Sequence, residues 1–105
     1  MVLEFAPAGD LRHDVIDSDA FTHEEARLAA ALYIHHGRVA HRDVKHENML
    51  LTARDRSLAV PTLCDFGFAA ILGERKTLCG TYEYMSPEMI QNRPYDYKID
   101  IWAVG

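Results

Sequence analysis

Between positions 41 and 48 the chain reads His41-Arg42-Asp43-Val44-Lys45-His46-Glu47-Asn48, and Asp65-Phe66-Gly67 and Ser86-Pro87-Glu88 follow in that order. These side chains suit phosphoryl transfer. Asp43 can accept a proton from a hydroxyl, and Lys45 can neutralise charge on a transferring phosphate. Asn48 and Asp65 offer oxygen atoms to a hard cation such as Mg²⁺. A lone His-Arg-Asp triplet recurs by chance, but Asn48 and the Asp-Phe-Gly triplet behind it raise its weight.

These groups need elements to hold them. Met1 to Phe5 reads as the end of a strand, broken by Pro7 and Gly9. Asp10 is placed to cap a short helix running to Asp17. Thr22 and Glu25 have capping-box spacing, so a helix is expected to follow, burying Ala26, Leu28, Ala29, Leu32 and Tyr33 and stopping at Gly37. Val39 and Ala40 lead into the reactive run, which lacks helical periodicity and reads as a loop. Met49-Leu50-Leu51 is expected as a short strand, Arg54 to Ser57 as a turn, and Thr62-Leu63-Cys64 as the return strand. Asp65 to Glu88 shows no sustained period and reads as irregular; segments this long inside a compact domain are usually functional or disordered. Met89 to Gln91 is expected as a short helix, and a further helix begins at Asp96, with Trp102 in the core.

At 105 residues, 49% hydrophobic and 26% charged, the composition is that of one small globular domain. A net charge of −5 argues against a nucleic-acid partner, whose phosphates want clustered Lys and Arg. The longest apolar stretch, Leu28 to Ile34, is too short to span a bilayer, and the N-terminus lacks the pattern of a secretory signal. Cys64 and Cys79 form no CxxC pair, so an intracellular location, cytoplasmic or nuclear, is expected. Cys64 reads as a packed small residue and Cys79 as the better oxidation candidate. The six histidines show no HExxH or paired-ligand spacing, and a zinc site is not expected.

Taken with Gly80-Thr81 and Asp100-Ile101-Trp102-Ala103-Val104-Gly105, the three runs resemble a eukaryotic protein kinase of the serine/threonine type. Thr77 to Ile90 resembles the Aurora-like kinases. The resemblance implies an α+β protein-kinase-like fold, mostly the hinge and the first half of the helical C-lobe. Residues 1–105 would be a partial catalytic domain, without the N-lobe and the C-terminal helices. It implies ATP and Mg²⁺ as cofactors and a protein substrate presenting Ser or Thr. Asp43 would orient the substrate hydroxyl and take its proton, Lys45 would meet the phosphate, and Asn48 and Asp65 would hold metal. His41 would pack under the catalytic loop. Thr81 would position Asp43 and Lys45. Leu3, as gatekeeper, Glu4 and Ala6, through their backbones, and Leu50, as the floor, would surround adenine. Arg42 would grip a phosphate placed on Thr77 by an upstream kinase or by autophosphorylation. Asp10 and Glu47 would favour basic residues upstream in the substrate.

His46 departs from the family, where proline is common, and Ser86 stands where alanine is common. The sequence from Met1 to Gly105 shows no glycine-rich loop, no phosphate-binding strand lysine, no helix glutamate to pair with it, and no arginine partner for Glu88. The chain by itself is therefore expected to be marginally folded and without useful activity, as a piece of a longer enzyme. The rival reading is a non-catalytic kinase-like scaffold or binding protein.

Overall fold

The structure is a computed structural model that describes residues 5–10, 23–55, 59–71, 73 and 75–105. The chain order is helix α1 (His23–His36), strand β1 (Val39–Ala40), β2 (Met49–Leu51), β3 (Pro61–Leu63), β4 (Ala70–Ile71), and helices α2 (Pro87–Ile90) and α3 (Lys98–Val104). Single 3₁₀ turns occur at His46–Asn48, Phe66–Phe68 and Tyr82–Tyr84. This is a mixed α+β arrangement. The expected strand through Glu4, the helix expected from Asp10 to Asp17 beyond Asp10 itself, the Thr22 cap, and Arg56 and Ser57 of the expected turn lie outside the described residues. Phe5 is exposed and belongs to no strand.

Two antiparallel ribbons frame the reactive run. β2 and β3 pair with Met49 opposite Leu63, Leu50 opposite Thr62 and Leu51 opposite Pro61. One further ladder bond, Cys64 N to Asn48 O at 2.9 Å, extends the ribbon to the two residues ahead of Asp65 and behind Met49. The return strand is thus Pro61–Leu63, with Cys64 just past its end. β1 pairs with β4, Val39 opposite Ile71 and Ala40 opposite Ala70, so the two ends of the reactive segment are tied together. The segment 65–88 is less irregular than expected: it contains two 3₁₀ turns and β4 before α2 begins. α2 starts at Pro87, two residues early, because proline's fixed φ suits the first helical position.

Among the described residues the core has two parts. Ala31, Val44, Met49, Leu51, Leu63, Ala103 and Val104 form the larger, and Met89, Tyr95 and Ile99 the smaller. The strand period places Met49 and Leu51 inward and leaves Leu50 on the opposite, half-exposed face.

The inward face of α1 differs from the apolar one expected. Leu28, Ala29, Leu32 and Tyr33 are exposed, Leu32 by 53% and Tyr33 by 81%, whereas Arg27 and Ala31 are buried. The cause lies in the partner helix. The Arg27 guanidinium donates to the Ala103 carbonyl at 3.3 Å, and His35 reaches Asp100 at 2.8 Å. α3 presents polar acceptors, so α1 turns a partly polar stripe toward it. Trp102 is likewise 56% exposed, because α3 turns Ile99, Asp100, Ala103 and Val104 inward. α1 stops at His36 as expected, but the left-handed residue beyond it is Arg38 (φ 61°), not Gly37.

Met49→Ala should cost about 2–5 kcal/mol, the usual result of emptying a fully buried site. Leu32→Ala should cost under about 0.5 kcal/mol. Chemical denaturation of the two variants checks this; equal losses would contradict the observed face of α1.

Candidate active site

Asp100 holds the reactive loop from below. Its carboxylate is 1% exposed and accepts from the backbone N–H of His41 and of Arg42, each at 2.8 Å, and lies 2.8 Å from His35 Nε2. Two backbone donors converging on one side chain bend the chain sharply, and Arg42 sits at φ 68°. A left-handed non-glycine residue costs energy and persists only where its surroundings over-determine it. His41 is fully buried beneath the loop. Its Nδ1 accepts from the Asp43 N–H at 3.3 Å, which leaves Nε2 to donate to the Cys64 carbonyl at 3.0 Å. Those partners define a neutral imidazole protonated at Nε2. Its ring meets Phe66 edge-on at 4.8 Å, joining the loop to the Asp-Phe-Gly turn.

Asp43 emerges from this support with both carboxylate oxygens engaged. Oδ1 accepts from the Thr81 backbone N–H at 2.8 Å and the Thr81 hydroxyl at 2.7 Å. Oδ2 accepts from Asn48 Nδ2 at 3.1 Å and lies 3.3 Å from Lys45 Nζ. Lys45 Nζ also donates to the Thr81 hydroxyl at 2.6 Å. The Thr81 oxygen therefore sits between a carboxylate that takes its hydrogen and an ammonium that shares its lone pair. Burial alone would push the Asp43 carboxyl up, but the Thr81 and Lys45 bonds together outweigh it and hold the pKa below its ordinary 3.8.

Gly80 permits that approach. Its φ is +94°, and a Cβ added there would run into the Arg42 carbonyl oxygen. Backbone lies on backbone at this point, and Thr81 comes within reach of Asp43 because nothing separates the two loops.

Asn48 Nδ2 is spent on Asp43, at 2.9 Å to its carbonyl and 3.1 Å to Oδ2, which turns the amide oxygen away from that carboxylate. Asp65 takes φ 58° and ψ 73°, and its Oδ1 accepts from the Gly67 N–H at 3.2 Å. The β2–β3 register sets Asn48 opposite Cys64, so Asp65 stands one residue beyond it at the same end of the ribbon. The amide oxygen of Asn48 and the exposed carboxylate of Asp65 are each hard oxygen donors, the kind Mg²⁺ takes. Burial, with Asp65 and Asp10 adding to it, pushes the adjacent Cys64 thiol up, away from the reactive thiolate.

The remaining candidates are spread around this centre. Leu50 faces outward on β2 and bridges to Asp10, while Leu51 N donates to Gly9 O at 2.9 Å. Ala6 closes a turn by accepting from Gly9 N at 3.3 Å. Leu3 and Glu4 lie outside the described residues. Glu47 is half-buried, and its Oε2 is a buried oxygen with no hydrogen-bond partner among the described residues. Arg42 donates to the Phe68 carbonyl at 2.5 Å and to the Tyr95 hydroxyl at 3.0 Å, and Thr77 is exposed. His46, at the position that departs from the family, meets Tyr84 with ring centroids 6.4 Å apart and Nδ1 3.3 Å from its hydroxyl.

Asp100 stands at the head of the run that helps mark the family, and His35 fits the end of α1, but no local pattern pairs them, and none marks Tyr95; the partners lie 65 and 53 residues away.

The protein kinase domain model matches residues 1–105. Among curated proteins, the chain is 36% identical over 113 residues to Aurora kinase A-B of Xenopus laevis, covering all of this chain and 27% of the relative. It is 37% identical over 113 residues to Aurora kinase C of Mus musculus, covering all of this chain and 40% of that protein. Serine/threonine-protein kinase ATG1b of Arabidopsis thaliana is 39% identical over 114 residues, again with the whole chain covered but 16% of the relative. The chain thus spans well under half the length of these relatives.

The lowered Asp43 pKa carries a sign. Its contribution to stability is fully present above about pH 3.8 and is lost as pH falls through the lower folded value. Thr81→Val removes the hydroxyl bond, so the Asp43 carboxyl should titrate at higher pH and acid unfolding should begin earlier. Carbon-13 NMR of the carboxyl measures this; an unmoved titration would sink the assignment.

Proposed function

This chain belongs to the protein kinase family, and we propose on that premise that the protein transfers the γ-phosphoryl group of ATP to serine or threonine hydroxyls of protein substrates. The Thr81 hydroxyl held between Asp43 and Lys45 is the observation that carries the reading, because a substrate hydroxyl needs the same two partners. Asp43, kept ionised by its surroundings, accepts the hydrogen bond of the incoming hydroxyl and receives its proton. Lys45 places positive charge beside the oxygens of the moving phosphoryl group. Asn48 and Asp65 are the residues to hold Mg²⁺, which when bound supplies charge neutralisation at the phosphates. Thr81 keeps Asp43 and Lys45 in register until substrate arrives.

The outer roles follow from the same reading. Leu50 and the backbone of Ala6, with Leu3 and Glu4, border adenine. Asp10 and Glu47 attract Arg or Lys upstream of the phosphorylated residue through opposite charge. Arg42 grips a phosphate on Thr77, added by an upstream kinase or by the protein itself. The setting is intracellular, where ATP and protein substrates meet; among the described residues no helix is long and apolar enough to cross a membrane.

In the full-length protein, Asp43→Asn should lower turnover by about 10³-fold or more while leaving nucleotide affinity within about threefold. Asp65→Asn should weaken Mg²⁺-dependent ATP binding as well as turnover. Radiolabelled transfer to a Ser/Thr peptide and nucleotide titration separate the two quantities. Wild-type protein that transfers no phosphate under any activation would overturn the enzyme reading in favour of a scaffold. A degenerate peptide array should show selection for basic residues upstream, relaxed by Glu47→Gln; a flat array would remove Asp10 and Glu47 from substrate recognition.

A further inference from the structure

Tyr95 has no role in the chemistry above, yet it joins three parts of the site. It is 5% exposed and packs with Met89 and Ile99 in the smaller core. Its phenolic oxygen lies 2.5 Å from the Thr77 carbonyl oxygen, 3.0 Å from Arg42 Nη1 and 4.0 Å from Cys79 Sγ. The directions follow from the chemistry. A guanidinium only donates and a carbonyl only accepts, so the phenol takes a hydrogen from Arg42 and gives its single hydrogen to Thr77. Burial, more than any neighbour, pushes the phenol's pKa up, and it keeps the proton this bond requires. Its main chain is engaged as well: Arg75 N donates to Tyr95 O at 3.0 Å, and Tyr95 N donates to Arg75 O at 2.9 Å.

We propose that Tyr95 is a positioning residue that latches residues 75–77 to the lobe and aims Arg42 at Thr77 before any phosphate is attached. The proposal rests on the kinase reading for the roles of Arg42 and Thr77. The latch holds the Thr77 carbonyl while the residue itself stays exposed to a modifying enzyme. Arg42 is oriented by Phe68 O through Nε and by Tyr95 through Nη1, and among the described residues its remaining side-chain N–H groups meet no other partner and can turn to an anion. Once a phosphate on Thr77 engages Arg42 directly, the loop has a second tether and the phenol becomes redundant. The dependence on Tyr95 therefore belongs to the unphosphorylated form.

The test is Tyr95→Phe in the full-length protein, which removes one oxygen and keeps the ring in its apolar contacts. Trypsin cuts after Arg75 and Lys76. In the unphosphorylated protein the variant should be cut there about tenfold faster, the scale set by losing a buried hydrogen-bond junction. Amide exchange at Arg75 should rise in parallel. With phosphothreonine installed at position 77 by peptide ligation, variant and wild type should be cut within about twofold of each other. Equal cleavage and exchange before phosphorylation would overturn the latch. A tenfold difference persisting after phosphorylation would also overturn it, reducing Tyr95 to a packing contact. Should the variant lose its cooperative thermal transition, amide exchange of the unphosphorylated wild type decides: Arg75 must be protected, and its free exchange rejects the proposal. None of these readouts needs phosphoryl transfer, so an inactive wild type would remove the kinase reading without touching this result.

Discussion

A buried carboxylate organises this site. Asp100 sits almost out of contact with water, where an ionised group is tolerable only if its lone pairs are taken by good donors. It finds them in the backbone of His41 and Arg42 and in the His35 ring. Each bond has a structural consequence. The backbone pair holds Arg42 in a left-handed conformation, which turns the chain so that the buried Asp43 faces Thr81 and Lys45. The His35 bond fastens α1 to α3 and explains why α1 turns polar side chains toward that helix. Charge-assisted hydrogen bonds are the stronger kind, and here they offset the strain at Arg42.

Above that anchor the site is a chain of shared hydrogen bonds. His41 links the Asp43 backbone to the Cys64 carbonyl and so to the approach of Asp65. Asn48 ties its amide to Asp43, and Thr81 and Lys45 complete the coordination of that carboxylate. Groups that share partners this closely are not independent, and the effects of changing them will not add. Gly80 is the point where the second loop meets the first, and no side chain fits between them. The structure thus assembles a proton acceptor, a cation and two metal-ligand candidates from three loops, each braced by backbone rather than by long side chains alone.

Local patterns in the sequence located the loop and ribbon elements well. Met49–Leu51 and the strand returning to Asp65 were legible because strand formers there are bounded by turn residues. The end of α1 was legible too, although the left-handed conformation fell on Arg38 rather than on Gly37. The inward face of α1 was not. Apolar periodicity assumes an apolar partner, and α3 offers Asp100 and an open carbonyl at Ala103 instead. Trp102 misled for a related reason: size and hydrophobicity argue for the core, but helix phase on α3 assigns the interior to its neighbours. The β1–β4 pairing and the Arg75–Tyr95 bridge join residues far apart along the chain, and no local pattern encodes either.

By itself the sequence determined the reactive set: residue types alone confer proton acceptance on Asp43, positive charge on Lys45 and hard oxygens on Asn48 and Asp65, and their order along the chain marks the family. Those properties belong to side chains and survive without a fold. Only the tertiary structure decided which groups meet. Thr81 reaches Asp43 across 38 residues, Asp100 reaches His41 across 59, and Tyr95 reaches Arg42 across 53. Such pairings depend on how loops are laid over a common core, where hydrogen bonds form only at distances near 3 Å. The sequence supplies the groups, and the packing of three loops on a common core brings them within that range.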